Sequence, residues 1–293
     1  MQYCSATETG CIQILSKGAD AIDKPQHQNR RHIHSIWTQT TMPTPYLPPE
    51  LLDHIVDLLH DNQTALRNCC LVSSSWIPRT RTHLFAEVRF DTKGKLELWK
   101  GMFPDPSASP AHYTKILFFN PLRFVTAADA DWIKGFSRVV HFHGLSRTKI
   151  TTSLAPFHGF SPVIKSLLLH FIILPSSQLF DLILSFPLLE DLTMVNSYDA
   201  PIDTRNSPDG PSTVIQPPST PVFTGTLCIC GDWRGIKSIA HRLLSLPGGI
   251  HFRKLGLDWY KEEDILLTIG LVEECSHTLE SLDITCAFSG ESM

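Results

Sequence analysis

The feature that most constrains this fold is a short step of two apolar residues separated by one position, which returns eight times between residues 88 and 284. The first residues of successive steps lie 28, 24, 27, 25, 35, 28 and 27 positions apart. Because side chains alternate between the two faces of a β-strand, each step is typical of a strand with one buried face. A period of about 20–29 residues leaves room for one strand and one return segment per unit. We therefore predict an α/β chain of stacked strand and helix repeats. The steps are Val88/Phe90, Ile116/Phe118, Val140/Phe142, Leu167/Leu169, Leu192/Met194, Leu227/Ile229, Leu255/Leu257 and Leu282/Ile284.

Helical patterns separate the later steps, since apolar residues recur every three or four positions within 179–186, 236–244 and 265–272. The last of these patterns is formed by Ile265, Leu266, Ile269 and Val272. Near copies of one phrase lead into three strands: Ile164-Lys165-Ser166-Leu167, Leu189-Glu190-Asp191-Leu192 and Leu279-Glu280-Ser281-Leu282.

The period and the alternation together resemble a leucine-rich-repeat solenoid of an irregular kind. The family's asparagine, three positions past the second apolar residue of each strand, is absent, and those positions hold Ile172, Ser197, Asp232, Tyr260 and Ala287. In such a repeat the residue between the two apolar residues faces the open, concave surface. This strip is mixed in character and weakly charged, which suits a protein partner better than a nucleic acid. It comprises Leu117, His141, Leu168, Thr193, Cys228, Gly256 and Asp283, of which His141, Leu168, Thr193, Cys228 and Asp283 are the candidate substrate-binding residues.

Composition excludes several classes of protein. At about 150 residues per domain, 293 residues predict two domains, and 42% hydrophobic with 18% charged residues exclude chain-wide disorder, collagen and coiled coil. A net charge of −4 gives no overall attraction to nucleic acid or to acidic membranes. Eight cysteines without a CxxC pair indicate reduced thiols in the cytoplasm, the nucleus or both. The longest apolar run, 167–174, is too short to span a bilayer, and no signal-peptide pattern opens the chain.

Three segments fall outside the regular pattern. Residues 1–45 lack periodicity and are predicted to be a disordered arm, within which Met42 is an alternative start. A proline-rich insertion at 196–221 causes the spacing of 35 and is either a recognition flap or a tolerated surface loop. The last strand step is followed only by 285–293, so no capping repeat closes the sheet, and we expect either a longer parent protein or an edge protected by a partner.

Helices are predicted from Leu47 onward. Prolines and Glu50 suit the first turn of a helix whose apolar residues recur three and four positions apart, at Leu51, Leu52, Ile55, Leu58 and Leu59. A turn at 61–64 precedes a second helix over 65–72, and a third short helix carries Trp76.

The start Leu47-Pro48-Pro49-Glu50-Leu51-Leu52, the step Leu71-Val72-Ser73 and Trp76 resemble the F-box, in the form abundant among fungal F-box-like proteins. The resemblance covers residues 46–90 and leaves 91–293 to the repeat region. It implies a small three-helix domain that docks onto the Skp adaptor of an SCF-type cullin ubiquitin ligase, with an unknown protein substrate held by the repeats. The adaptor-contacting residues it implies are Leu47, Pro48, Leu51, Leu52, Ile55, Leu59, Leu66, Leu71, Val72 and Trp76.

Physical size supports a docking role, because a 44-residue unit at 47–90 cannot bury so many large apolar side chains in its own interior. The alternative is that the surplus packs on the following domain. Arg79, Arg81 and His83 form a basic stripe that either meets acidic loops of an adaptor or is solvated.

No GxSxG, HExxH, GxGxxG or P-loop motif occurs, so we predict a non-catalytic chain without cofactor or metal. His141 and His143, like Cys228 and Cys230, share one face of a strand but are at best half of a zinc site. The alternatives to a ligase receptor are a non-degradative scaffold built from the same two modules and, far less favoured, an enzyme using His141, His143 and Cys228.

Overall fold

A computed structural model describes residues 48–120, 122–146, 154–196, 198–199, 221, 223–231, 237–259 and 263–286. In this part of the chain a unit of three helices precedes an α/β region with an eight-stranded parallel sheet. The predicted arm 1–45 with Met42, the candidate contact Leu47 and nearly all of the insertion 196–221 lie outside the described residues. So do four of the five positions at which the repeat asparagine is missing; the fifth, Ile172, is fully buried.

The helical unit consists of α1 (Pro49–Leu58), α2 (Gln63–Val72), a 3₁₀ turn (Ser74–Trp76) and α3 (Ile77–Leu84). Helix α2 begins two residues before the predicted 65–72, because Asn62, inside the predicted turn 61–64, caps it: its side-chain oxygen accepts a hydrogen bond from the Ala65 amide at 3.0 Å. Both α1 and α2 pack against α3. The unit ends at α3, because the next element, β1 (Glu87–Phe90), pairs with the sheet although it lies inside the 46–90 range of the F-box resemblance.

The sheet contains one strand for each predicted step, and the strands follow one another in chain order with every neighbouring pair parallel. The predicted α/β class is therefore confirmed, and the structure adds that the sheet is parallel. A second, two-stranded parallel sheet of β5 (Ile173–Leu174) and β7 (Tyr198–Asp199) is an addition that the steps do not predict. After β1, the strands of the large sheet are β2 (Ile116–Phe119), β3 (His141–Leu145), β4 (Ser166–His170), β6 (Asp191–Val195), β8 (Thr226–Cys230), β9 (Lys254–Trp259) and β10 (Ser281–Cys286).

The return segments change in character along the chain. Later returns carry the predicted helices, whereas the return between β3 and β4 contains, in its described part, only a 3₁₀ turn (Ala155–Phe157). One row of strand side chains packs with the helices into a continuous apolar core, in which phenylalanine rings contact one another from β1 to the turn before β4. The helices are α4 (Lys93–Met102), α5 (Ala130–Lys134), α6 (Ser176–Leu184), α7 (Lys237–Leu244) and α8 (Glu263–Cys275).

A repeated backbone junction links the starts of the strands. One carbonyl before a strand accepts the amides of two consecutive residues of the next repeat, as the Lys165 carbonyl does from Glu190 and Asp191, both at 2.8 Å. The junction changes where the insertion returns to the sheet, since Thr226 donates its amide to the Asp191 carboxylate at 2.6 Å. Gly225 is required there, because a Cβ on it would lie 2.3 Å from the Asp191 Oδ1 atom.

The prediction of which side chains face the core is wrong by one residue in two elements. On β2 the buried side chains are Leu117 and Phe119, so Leu117 belongs to the core and not to the open strip. On α8 Leu267 is buried and Leu266 is 78% exposed. In both segments two large apolar residues stand side by side, so hydrophobicity alone does not mark which of them faces inward.

Candidate functional site

Helix α1 carries two apolar stripes at helical spacing. The stripe of Leu52, Val56 and Leu59 faces the interior, with Val56 fully buried and the other two partly so. The adjacent stripe, one position back, consists of Leu51, Ile55 and Leu58, all of which are exposed. This second stripe belongs to the surplus of large apolar side chains that the sequence predicts for the unit.

The end of α2 carries two further exposed apolar side chains. Leu71 is 86% exposed and Val72 is 68% exposed, while Leu66 and Cys69 on the same helix are buried. Leu66 is thus corrected from a contact residue to a core residue, because its side chain presents no surface to a partner. We call the exposed set Leu51, Ile55, Leu58, Leu71 and Val72 the helical docking surface. Of the remaining described candidates, Pro48 is exposed and Leu52, Leu59 and Trp76 are partly buried; Leu58 was absent from the predicted contacts.

The predicted basic stripe on α3 is largely engaged within the chain. The Arg79 guanidinium donates two hydrogen bonds to the Asp57 carboxylate, at 2.6 and 2.5 Å, and His83 Nε2 lies 2.8 Å from the same carboxylate. These contacts hold the pKa of Asp57 well below its usual range. Asp57 therefore ties α1 to α3, and Arg79 and His83 stabilise the unit instead of offering free charge to an adaptor.

The second candidate surface is the open face of the sheet, whose side chains are mostly partly exposed. The strand pairing aligns a middle row across this face, which we define by its eight residues. The predicted His141 lies on this face but in the preceding row, and His143 occupies its place in the middle row. The middle row is Arg89, Phe118, His143, Leu168, Thr193, Cys228, Gly256 and Asp283.

The first strands of this row form an aromatic and basic stack. The Arg89 guanidinium lies over the Phe118 ring, 3.7 Å from its centroid, and the His143 ring centroid is 4.3 Å from that of Phe118. Glu87 accepts a hydrogen bond from Arg89 at 2.5 Å and orients the guanidinium. Burial, with the nearby positive charge of Arg89, lowers the pKa of His143 to about 4. His143 is therefore neutral at physiological pH, and Arg89 supplies the positive charge of the stack.

The last strands of the open face are acidic and carry a pair of thiols. Asp258 lies on β9, the strand beside Cys228 and Cys230 of β8, and Asp283 lies one strand further away on β10. The two sulfur atoms are 3.2 Å apart. The open face is consequently aromatic at one end, where Arg89 is paired with Glu87, and carries two aspartates at the other.

The alternative enzyme site is not assembled. His143 and Cys228 share the middle row but are separated by two intervening strands, which at about 4.8 Å per strand places them about 14 Å apart. No group of three or more potential metal ligands occurs among the described residues. No helix in the described ranges is long and apolar enough to cross a bilayer.

No protein-family model matches the chain, and no curated protein matches it either. The resemblances to the F-box and to leucine-rich repeats therefore depend on the motifs alone, and the function has to be argued from the helical docking surface and the open face.

Proposed function

We propose that this chain is a substrate receptor of an SCF-type cullin ubiquitin ligase, with residues 48–84 acting as an F-box that binds a Skp-type adaptor and the sheet acting as an irregular leucine-rich-repeat-like receptor for a protein substrate. The observation that carries the proposal is the helical docking surface, a set of large aliphatic side chains left exposed on a unit whose own interior is already filled by Val56, Leu66 and Cys69.

The size of the unit explains why a partner is needed. At fewer than about 40 residues a helical unit buries too little apolar surface to be strongly stable by itself. Full burial of a large aliphatic side chain contributes about 1.5–3 kcal/mol, so Leu58, Leu71 and Val72 together offer about 5–9 kcal/mol to an interface. This offsets a large part of the cost of association, and Leu51 and Ile55 add to it.

The open face suits the substrate side of the same role. Its strands follow chain order, and their steps lie 24–28 residues apart except for one spacing of 35, which supports a repeat receptor. Its aromatic end, with the Arg89–Glu87 ion pair, and its aspartates at the other end favour an extended protein segment that carries both apolar and basic side chains. In such a complex the receptor contributes proximity between substrate lysines and a conjugating enzyme, so no side chain of this chain has to act as nucleophile or base.

The docking assignment is tested by binding the purified full chain to a purified Skp-type adaptor. We expect the double variant Leu58→Asp with Leu71→Asp to bind the adaptor at least 100-fold more weakly. Each substitution removes apolar surface that the interface would bury and places a charge there instead. The matched control is Leu266→Asp with Ile269→Asp, an equivalent change at two exposed apolar positions of α8. Equal affinities for the wild type and the Leu58/Leu71 variant would refute the assignment.

A second assay separates degradation from scaffolding. The full chain is assembled with the adaptor, a cullin and a conjugating enzyme, and ubiquitin conjugates on proteins bound to the open face are measured. Arg89→Glu with Asp283→Lys is expected to reduce conjugation of those proteins without affecting adaptor binding. Adaptor binding without any conjugates would support the non-degradative scaffold.

A further inference from the structure

Strand β8 holds two cysteines on the same side. Cys228 and Cys230 both project onto the open face, and the intervening Ile229 is buried in the core. Their sulfur atoms lie 3.2 Å apart, and both residues are partly exposed. The pair is therefore available for chemistry that joins two thiols.

Two kinds of chemistry compete for such a pair. A tetrahedral zinc ion bound at about 2.3 Å holds two sulfurs about 3.8 Å apart and needs two further ligands. No group of three potential ligands exists in the described part of the chain, and the sulfurs are closer than this ion requires. The pair is thus better matched to formation of a disulfide than to zinc binding.

Strand geometry determines what kind of disulfide this would be. Residues two apart in a strand are separated by about 6.6 Å, close to the upper end of the roughly 4.4–6.8 Å that disulfides span between Cα atoms. Because β8 pairs with both β6 and β9, its backbone has little freedom to shorten. A bond formed here is strained and easily reduced, a property of regulatory disulfides and not of structural ones.

The surroundings give the two thiols different roles. Gly256 lies beside Cys228, and a Cβ there would be 3.3 Å from its sulfur, so the glycine leaves that sulfur open to a small reagent. The two sulfurs share one hydrogen bond in which either can be the donor; it lowers the pKa of Cys228 and, together with burial and the neighbouring Asp258, raises the pKa of Cys230. Cys228 is the thiol that reacts first, and Cys230 is placed to resolve the product.

We propose that Cys228 and Cys230 form a reversible dithiol–disulfide site on the open face, oxidised by a hydroperoxide. The Cys228 thiolate attacks the terminal oxygen of the hydroperoxide, and the O–O bond breaks to give Cys228 sulfenic acid and the alcohol, or water from hydrogen peroxide. The sulfur of Cys230 then displaces the hydroxyl group, which leaves as water with the Cys230 proton. A cellular dithiol reverses the step. This site does not depend on the proposed ligase function.

The test uses the full chain, reduced and then treated with hydrogen peroxide. Trypsin releases residues 206–234 as one peptide whose cysteines are Cys228 and Cys230. We expect this peptide to lose two hydrogen atoms and both alkylation sites, and dithiothreitol to restore them. In urea the same reaction should be at least tenfold slower, because the fold no longer holds the sulfurs together. Thiols that remain alkylatable in the folded chain, or equal rates in both conditions, would overturn the proposal.

Two controls address specificity. Cys69 and Cys70 are adjacent in sequence and share the tryptic peptide 68–79, but neighbouring residues of a helix point in different directions and Cys69 is buried, so this peptide should keep both thiols. Dimedone, which traps sulfenic acid, should label Cys228 in Cys230→Ser faster than Cys230 in Cys228→Ser. The reverse order would contradict the assigned roles.

Discussion

Helix α2 offers a direct comparison of a buried leucine with an exposed leucine of the proposed adaptor interface. Leu66 is fully buried and Leu71 is 86% exposed, although both are leucines on one ten-residue helix. Leu66→Ala should destabilise the helical unit by about 2–5 kcal/mol, the usual cost of truncating a buried leucine. Leu71→Ala should change its stability by less than about 0.5 kcal/mol, because its side chain has few contacts to lose.

For binding of the adaptor, Leu71→Ala should have the larger effect and Leu66→Ala the smaller one. Leu71→Ala should remove up to about 2 kcal/mol of interface burial, which corresponds to a roughly 30-fold weaker complex. Leu66→Ala should leave affinity nearly unchanged under conditions where the unit remains folded, since its side chain reaches no partner.

Hydrogen–deuterium exchange of peptides within 48–84 measures the stability term, because the protected amides of these helices exchange only when their hydrogen bonds open. Titration with the purified adaptor measures the binding term. Comparable stability losses in both variants would show that Leu71 packs in the interior, and the reasoning about the helical docking surface would fail.

Two further outcomes concern the sheet. Gly231 follows β8 with φ of +97°, and a Cβ on it would lie 2.1 Å from Asn196 Oδ1, so Gly231→Ala should cost roughly 2–4 kcal/mol in urea denaturation. The control Gly101→Ala, in α4 with open space around it, should be neutral or stabilising by up to about 1 kcal/mol. His143 should titrate near pH 4 by NMR, against an ordinary value of 6.5. As the pH falls, the unfolded chain binds this proton at a higher pH than the folded chain does, so the wild type should lose stability between pH 6.5 and 4. The variant His143→Gln should lose less stability over the same range. A His143 titration near 6.5 would contradict this.

Much of the architecture could be predicted because it follows from the local periodicity of apolar residues. Each of the eight apolar steps gave a strand, and the α/β class followed from their alternation with helical patterns. The faces were less predictable where large apolar residues are adjacent, as at Leu117 and Phe118 on β2, since period-2 alternation identifies a face only when polar residues mark the other one. Contacts between distant residues, such as Asp57 with Arg79, carry no local signal at all.

Which residues belong to the candidate site also depends on where they lie in the folded chain, and residue type alone does not show this. The sequence places His143 on the same strand face as His141, yet only the pairing of β2 with β3 shows that it stacks on Phe118 in the middle row. Likewise the two thiols of β8 were recognisable as sharing a face, but their 3.2 Å separation depends on side-chain rotamers that sequence does not specify.

Where two large apolar residues are adjacent in sequence, the exposure of the outward one distinguishes a surface that needs a partner from one that does not. On β2 the outward ring of Phe118 is covered by the chain itself, with Arg89 on one strand and His143 on the other. On α1 the outward Leu58 has no such cover and remains 69% exposed. Both segments carry more apolar residues than their inner faces can use, but β2 covers its excess with neighbouring side chains and α1 leaves its excess to water. A hydrophobic interface is therefore expected at α1 and α2, whereas recognition on the open face should depend on Arg89 and the acidic strands and should weaken with salt.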